Sequence, residues 1–143
     1  MKFVTGSLAA VLLLADIEAS HAVVRISGDR GGRIQTYVDK FQSLRTSGEA
    51  VIIDGLCASA CTIVLGAVSH DNICVTPRAT LGFHAAYDLG TNRRSITNPE
   101  ATRQLYLMYP MSVQSWIAAR GGLTPRMIFL RGKSLQAMYK PCR

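Results

Sequence analysis

The chain has 143 residues, is 48% hydrophobic and carries a formal charge of +7. Its length suits one domain around a single core, and no internal repeat or low-complexity tract suggests otherwise. The basic residues are scattered and lack aromatic interleaving, which points to solubility and loose attraction to anionic envelope surfaces, with no specific nucleic-acid module.

The N-terminus reads as an export signal. Lys2 precedes an apolar core, Leu8 to Ala15, and Ser20-His21-Ala22 supplies small residues at −3 and −1, which predicts cleavage after Ala22. The apolar run is too short to span a bilayer and is followed by Asp16 and Glu18, so no stable membrane anchor is expected after cleavage. A buried N-terminal helix is the plain alternative. Lys2, Asp16 and Glu18 leave with the signal, raising the charge to +8. Residues 23–143 then form a single domain, periplasmic or secreted.

Val23 to Ile26 predicts a strand entering the glycine turn "SGDRGG". The spacing of Ile34, Tyr37, Val38, Phe41 and Leu44 predicts a helix that ends near Gly48. "AVIID", Ala50 to Asp54, suits a strand covered on both faces, and Gly55 breaks it before Ser59 opens a helix over Ala60 to Val68. A third strand is expected over Ile73 to Thr76, closed by Pro77.

The order strand, helix, strand, helix, strand argues for an α/β fold: a short parallel sheet with right-handed crossover helices. "DLGTNRRSITNPE" is polar and turn-rich. Asn98 and Pro99 then mark a helix start toward Met108, Pro110 interrupts, and a further helix from Met111 stops at Gly121-Gly122. The tail from Leu123 is basic and amphipathic, completing a C-terminal helical segment.

Cys57, Cys61, Cys74 and Cys142 are an even set in an exported chain, which favours disulfides. Three pairings are open. No C-x-x-C or H-x-x-x-H partner motif accompanies them, so no metal and no other cofactor is expected.

"GLCASACTIVLG" places Ser59 between a strand-ending glycine and a helix, where the N–H groups of Ser59 and Ala60 have no helical partner and favour negative charge. An attacked carbonyl develops such a charge. Serine needs a base to become a nucleophile, and His84, beyond the third strand, would meet it at the shared edge of a parallel sheet. Gly31-Gly32 ends the first strand at that same edge, where a second oxyanion donor fits. Singly, each has a plainer reading: an N-cap serine, a turn, a structural histidine.

The ordered set Gly31-Gly32, Ala58-Ser59 opening a helix, and Cys74-Val75-Thr76-Pro77 leading to His84 resembles the Clp-type serine peptidases of the Clp peptidase/crotonase superfamily. "CASACTIVL" with "RATLGFH" is similar to an exported bacterial branch of that superfamily. The resemblance covers about Val23 to His84. It implies a Clp peptidase/crotonase-like core, Ser59 as nucleophile, His84 as base, and oxyanion donors at the Gly31-Gly32 turn, chiefly Gly32, and at Ala60.

The chain departs from that pattern in three ways. Asp29-Arg30 stands where the peptidases have Ser-Pro before the glycines. The early strand and helix of the peptidases, and any obvious ring-forming extension, are absent. No Asp or Glu follows Glu100, so the usual triad acid is missing, with Asp88, Asp29 and Asp54 as candidate substitutes. Lys133 does not match the Ser-Lys dyad of the signal-peptide-peptidase relatives.

With the histidine spacing assigned to Ser59, the cysteines read as clamps. Cys57 or Cys61 bonded to Cys74 would tie the serine turn to the neighbouring strand, and Cys142 would pin the tail. The expectation is an exported serine hydrolase, of peptidase type, acting on a peptide or acyl substrate and open to homo-oligomer formation. The rival is a catalytically inactive envelope binding or scaffold protein that retains the fold; a basic polyanion-binding module would differ by losing its binding with added salt.

Overall fold

A computed structural model describes residues 22–143. The expected export signal, apart from its last residue, lies outside the described residues. Strand β1 (Val23–Asp29) leads through the glycine turn into helix α1 (Ile34–Ser47). The helix ends at Gly48, whose φ of 71° is the left-handed conformation that a glycine stop adopts without strain. Its apolar stripe turns Phe41 completely inward, which stabilises the core by about 2–3 kcal/mol.

β2 (Ala50–Ala58) is longer than "AVIID" and runs through Gly55 to the residue before Ser59. A 3₁₀ segment (Ser59–Ile63) and one α-turn, α2 (Val64–Ala67), replace the continuous helix expected over Ala60 to Val68. Three β-branched residues in a row, Thr62-Ile63-Val64, weaken α-helix there. β3 (Ile73–Val75) follows, and then a strand that the sequence reading missed, β4 (Thr80–Phe83).

β1, β3 and β4 all pair parallel with β2. β3 lies along the first half of β2, opposite Val51 to Ile53, and β4 along its last residues, Leu56 to Ala58, so both occupy the same side in succession. The turn-rich stretch is a second small sheet, the antiparallel hairpin β5 (Tyr87–Leu89) and β6 (Ser95–Thr97). Helices α3 (Pro99–Met108) and α4 (Met111–Ala118) form as expected, and the Asn98 side chain accepts from the Ala101 N–H at 2.9 Å.

The tail is not simply amphipathic helix. β7 (Ile128–Arg131) pairs antiparallel with β4 before a short α5 (Gly132–Gln136). The disulfides are Cys57–Cys61 and Cys74–Cys142, which corrects the expected link between the serine turn and Cys74. Val75 donates to the Lys140 carbonyl and accepts from the Cys142 N–H, so the tail runs beside β3 and presents Cys142 to Cys74. Cys61, four residues on, returns to Cys57 instead. Among the described residues, no helix is long and apolar enough to cross a membrane.

Candidate active site

The register of the sheet brings three chain segments to one edge. Asp29 lies opposite Cys57, and Cys57 opposite Leu81, so β1, β2 and β4 end nearly level. Just beyond those ends come Gly31-Gly32, Ser59 and His84. All four line one cavity of about 660 Å³, together with Ala60 and with Tyr87 and Asp88 of the hairpin. Ile34, Leu89 and Leu105 add apolar walls, and Arg33 adds charge at the rim.

Ser59 has φ 58°, a conformation that costs a non-glycine residue roughly 1–3 kcal/mol. The turn therefore carries its serine out of the β2 direction and into the cavity wall. Gly31 is packed against it: a Cβ on Gly31 would sit 2.6 Å from the Ser59 Cβ and 2.7 Å from the Ala60 nitrogen. With a φ of 84° as well, only glycine fits that position.

Asp29 organises the glycine turn. Its Oδ1 accepts the Gly31 N–H at 2.8 Å and the Tyr37 hydroxyl at 2.6 Å. Burial, the hydrogen bond and the negative charge of Asp29 together push the Tyr37 phenol up to about 12, so it remains a donor. The Gly31 N–H is thus already satisfied, which corrects its expected role as an oxyanion donor. Of the pair, Gly32 keeps an N–H without a hydrogen-bond partner among the described residues.

His84 sits at the end of β4, not of β3. Its Nδ1 lies 2.7 Å from the Ala85 carbonyl. A carbonyl only accepts, so Nδ1 carries the proton and Nε2 is the basic nitrogen. The following residues are pinned: the Ala85 N–H donates to the Thr124 carbonyl at 2.8 Å and the Ala86 N–H to Thr102 Oγ1 at 3.0 Å. The imidazole also stacks on Tyr87, with centroids 5.9 Å apart. No hydrogen bond joins His84 to Ser59.

None of the three candidate acids forms a hydrogen bond or ion pair with the imidazole. Asp29 serves the glycine turn. Asp88 lines the cavity but accepts from the Asn98 amide at 3.0 Å. Asp54 is bound to Arg78, Thr76 and Arg25, at 2.6–2.7 Å for the nearest atoms of each. The hydrogen bonds from Arg78, Thr76 and Arg25 hold its carboxyl down to about 2. Lys133 belongs to α5 and does not line the cavity.

Cys57 and Cys61 are completely buried and close a five-residue loop around Ser59. Thr102 and Thr124 hold the segment after His84 without any signal in the sequence, because one acts across a long sequence separation and the other through a main-chain atom.

No protein-family model matches the sequence, and no curated protein matches it. Among solved structures the chain is similar to a mutant of the 1510-N membrane-bound stomatin-specific protease, with a TM-score of 0.55 and 18% identity over 81% of this chain. The match spans 60% of that protease's chain. A mutant ClpP1 from Listeria monocytogenes matches with a TM-score of 0.45 and 16% identity, over 83% of this chain and 71% of its own. The fold is therefore of the expected class, α/β with a mostly parallel sheet, and it is shared with the stomatin-specific protease.

Proposed function

We propose that this protein is an exported serine hydrolase of peptidase type, a single domain over residues 23–143 released from its signal after Ala22. The observation that carries the reading is the meeting of Ser59, in its left-handed conformation, with Gly32 and His84 around one cavity, although the three come from separate strand ends. His84 Nε2 takes the hydroxyl proton as Ser59 Oγ bonds to the substrate carbonyl carbon. The oxygen becomes an anion that accepts from the N–H groups of Gly32 and Ala60. Collapse expels the leaving group, which receives the proton from Nε2, and water releases the acyl group by the reverse sequence.

Peptide as the substrate class is supported by the likeness to a protease, whose shared fold by itself carries no activity. Two disulfides suit an oxidising compartment such as the periplasm. The second reading, a non-catalytic envelope scaffold, is favoured by the missing acid and by the absence of a Ser59–His84 hydrogen bond. Fluorophosphonate labelling of the oxidised mature protein separates the two. Labelling abolished in Ser59→Ala and His84→Ala is expected; a folded wild type that stays unlabelled, alone and with envelope extract, would replace the hydrolase with the scaffold.

A further inference from the structure

Thr62 is completely buried, and its Oγ1 lies 2.6 Å from the Ser59 carbonyl and 2.6 Å from the Tyr109 hydroxyl. The proton directions follow from valence. A carbonyl cannot donate, so the single Thr62 proton goes to Ser59, and Tyr109 must donate to Thr62. The chain of bonds runs one way, from Tyr109 through Thr62 to the Ser59 carbonyl.

That carbonyl belongs to the same peptide group as the Ala60 N–H. The group is planar and trans, so its C=O and N–H point in opposite directions. Holding the oxygen inward holds the N–H outward, toward the cavity that Ala60 lines. Hydrogen bonding at the oxygen also polarises the group and strengthens its N–H as a donor.

Tyr109 reaches the other half of the site too. Its ring meets Phe83 edge to face, with centroids 5.2 Å apart, and Phe83 is the residue before His84. Tyr109 is itself fixed at the end of α3, where its carbonyl accepts from the Gln114 amide at 2.7 Å. The absence of a side chain at Gly66 lets α2 approach the end of α3: a Cβ there would fall 1.9 Å from the Met108 carbonyl oxygen.

We infer that Thr62 and Tyr109 are positioning residues that set the direction of the Ala60 N–H and so complete the oxyanion site. The inference rests on the reading of Ala60 as an oxyanion donor. Neither residue lines the cavity, and neither touches substrate.

The test compares Thr62→Val, which keeps the shape and removes the hydroxyl, Thr62→Ser, which restores it, and Tyr109→Phe, which keeps the ring against Phe83. Two readouts are taken on the full mature chain: the fluorophosphonate labelling rate as a function of probe concentration, and the amide chemical shift and hydrogen exchange of Ala60. Deleting an oxyanion donor outright costs about 10²–10³ in turnover, and misdirecting one costs less. Thr62→Val is therefore expected to lower the maximal labelling rate about tenfold with the half-saturating probe concentration unchanged, and to shift the Ala60 amide. Thr62→Ser should restore both, and Tyr109→Phe should move both in the same sense.

Wild-type labelling and an unmoved Ala60 amide in Thr62→Val would overturn the inference while leaving the hydrolase reading intact. If the wild type itself does not label, the hydrolase reading falls and the amide measurement alone decides the positioning role. Should Thr62→Val fail to fold, Tyr109→Phe carries the same decision.

Discussion

The His84 Nδ1 is hydrogen-bonded to the main-chain carbonyl of the next residue, Ala85, at 2.7 Å. This contact sets the tautomer, a task that a buried carboxylate performs in Ser-His-Asp triads. It supplies direction without a full negative charge. The direction of the imidazole then depends on how firmly the Ala85-Ala86 segment is held.

Thr102→Val tests that dependence. It removes the acceptor of the Ala86 N–H and leaves a buried donor unpaired, which costs about 1–3 kcal/mol of stability. Labelling by fluorophosphonate is expected to fall about tenfold, equivalent to about 1.4 kcal/mol of barrier. Denaturant midpoints and labelling rates measured together check both; an unchanged rate in a destabilised variant would show that Thr124 alone holds the loop.

Asp29→Ala frees the Gly31 N–H and the Tyr37 hydroxyl together. Losing charge-assisted bonds of about 1.5–3 kcal/mol each is expected to loosen the turn that presents Gly32, slowing labelling more than Tyr37→Phe does. Gly31→Ala should be the most damaging of this set, because its Cβ would overlap the Ser59 turn. Labelling rates of the three variants, ranked against their melting temperatures, give the comparison.

The two disulfides are expected to separate stability from activity. Cys74–Cys142 spans 68 residues, and chain-entropy reasoning assigns it about 4 kcal/mol, against about 2 kcal/mol for the five-residue loop of Cys57–Cys61. Cys74→Ser/Cys142→Ser should therefore lower the unfolding free energy more. Cys57→Ala/Cys61→Ala should slow labelling more, since its bridge closes over Ser59. Mild reductant should open Cys74–Cys142 first, because the other pair is completely buried. Unfolding curves, labelling rates and mass mapping of alkylated thiols check the order.

Acid stability should track Asp54. Its carboxyl is held from an ordinary 3.8 down to about 2, so the unfolded chain takes up the proton first. The stabilisation by Asp54 is full above 3.8 and is lost as pH falls through about 2. Melting temperatures from pH 5 to pH 2 should fall less steeply in Asp54→Asn than in the wild type, from a lower starting value.

The amino-acid pattern alone carried the first strand, α1, the parallel β2 and β3, and the two later helices with their Asn98-Pro99 start. These are local matters of side-chain period and caps, legible within a dozen residues. It also brought Ser59, His84, Gly32 and Ala60 forward as candidates, and they line one cavity because the parallel strands β1, β2 and β4 end at one edge.

Tertiary structure decided the rest. β4 is too short for a period to declare itself, and β7 exists as a strand only by pairing with β4. The hairpin β5–β6 is exposed, without a buried face to mark it. The disulfide pairing was open because three connectivities share one cysteine count; the run of the tail along β3 selected Cys142 for Cys74. The support for the site lies in the Ala85 carbonyl and in a hydroxyl pair 47 residues apart, Thr62 and Tyr109. Main-chain acceptors carry no side-chain signature, and distant partners meet only after the chain has folded.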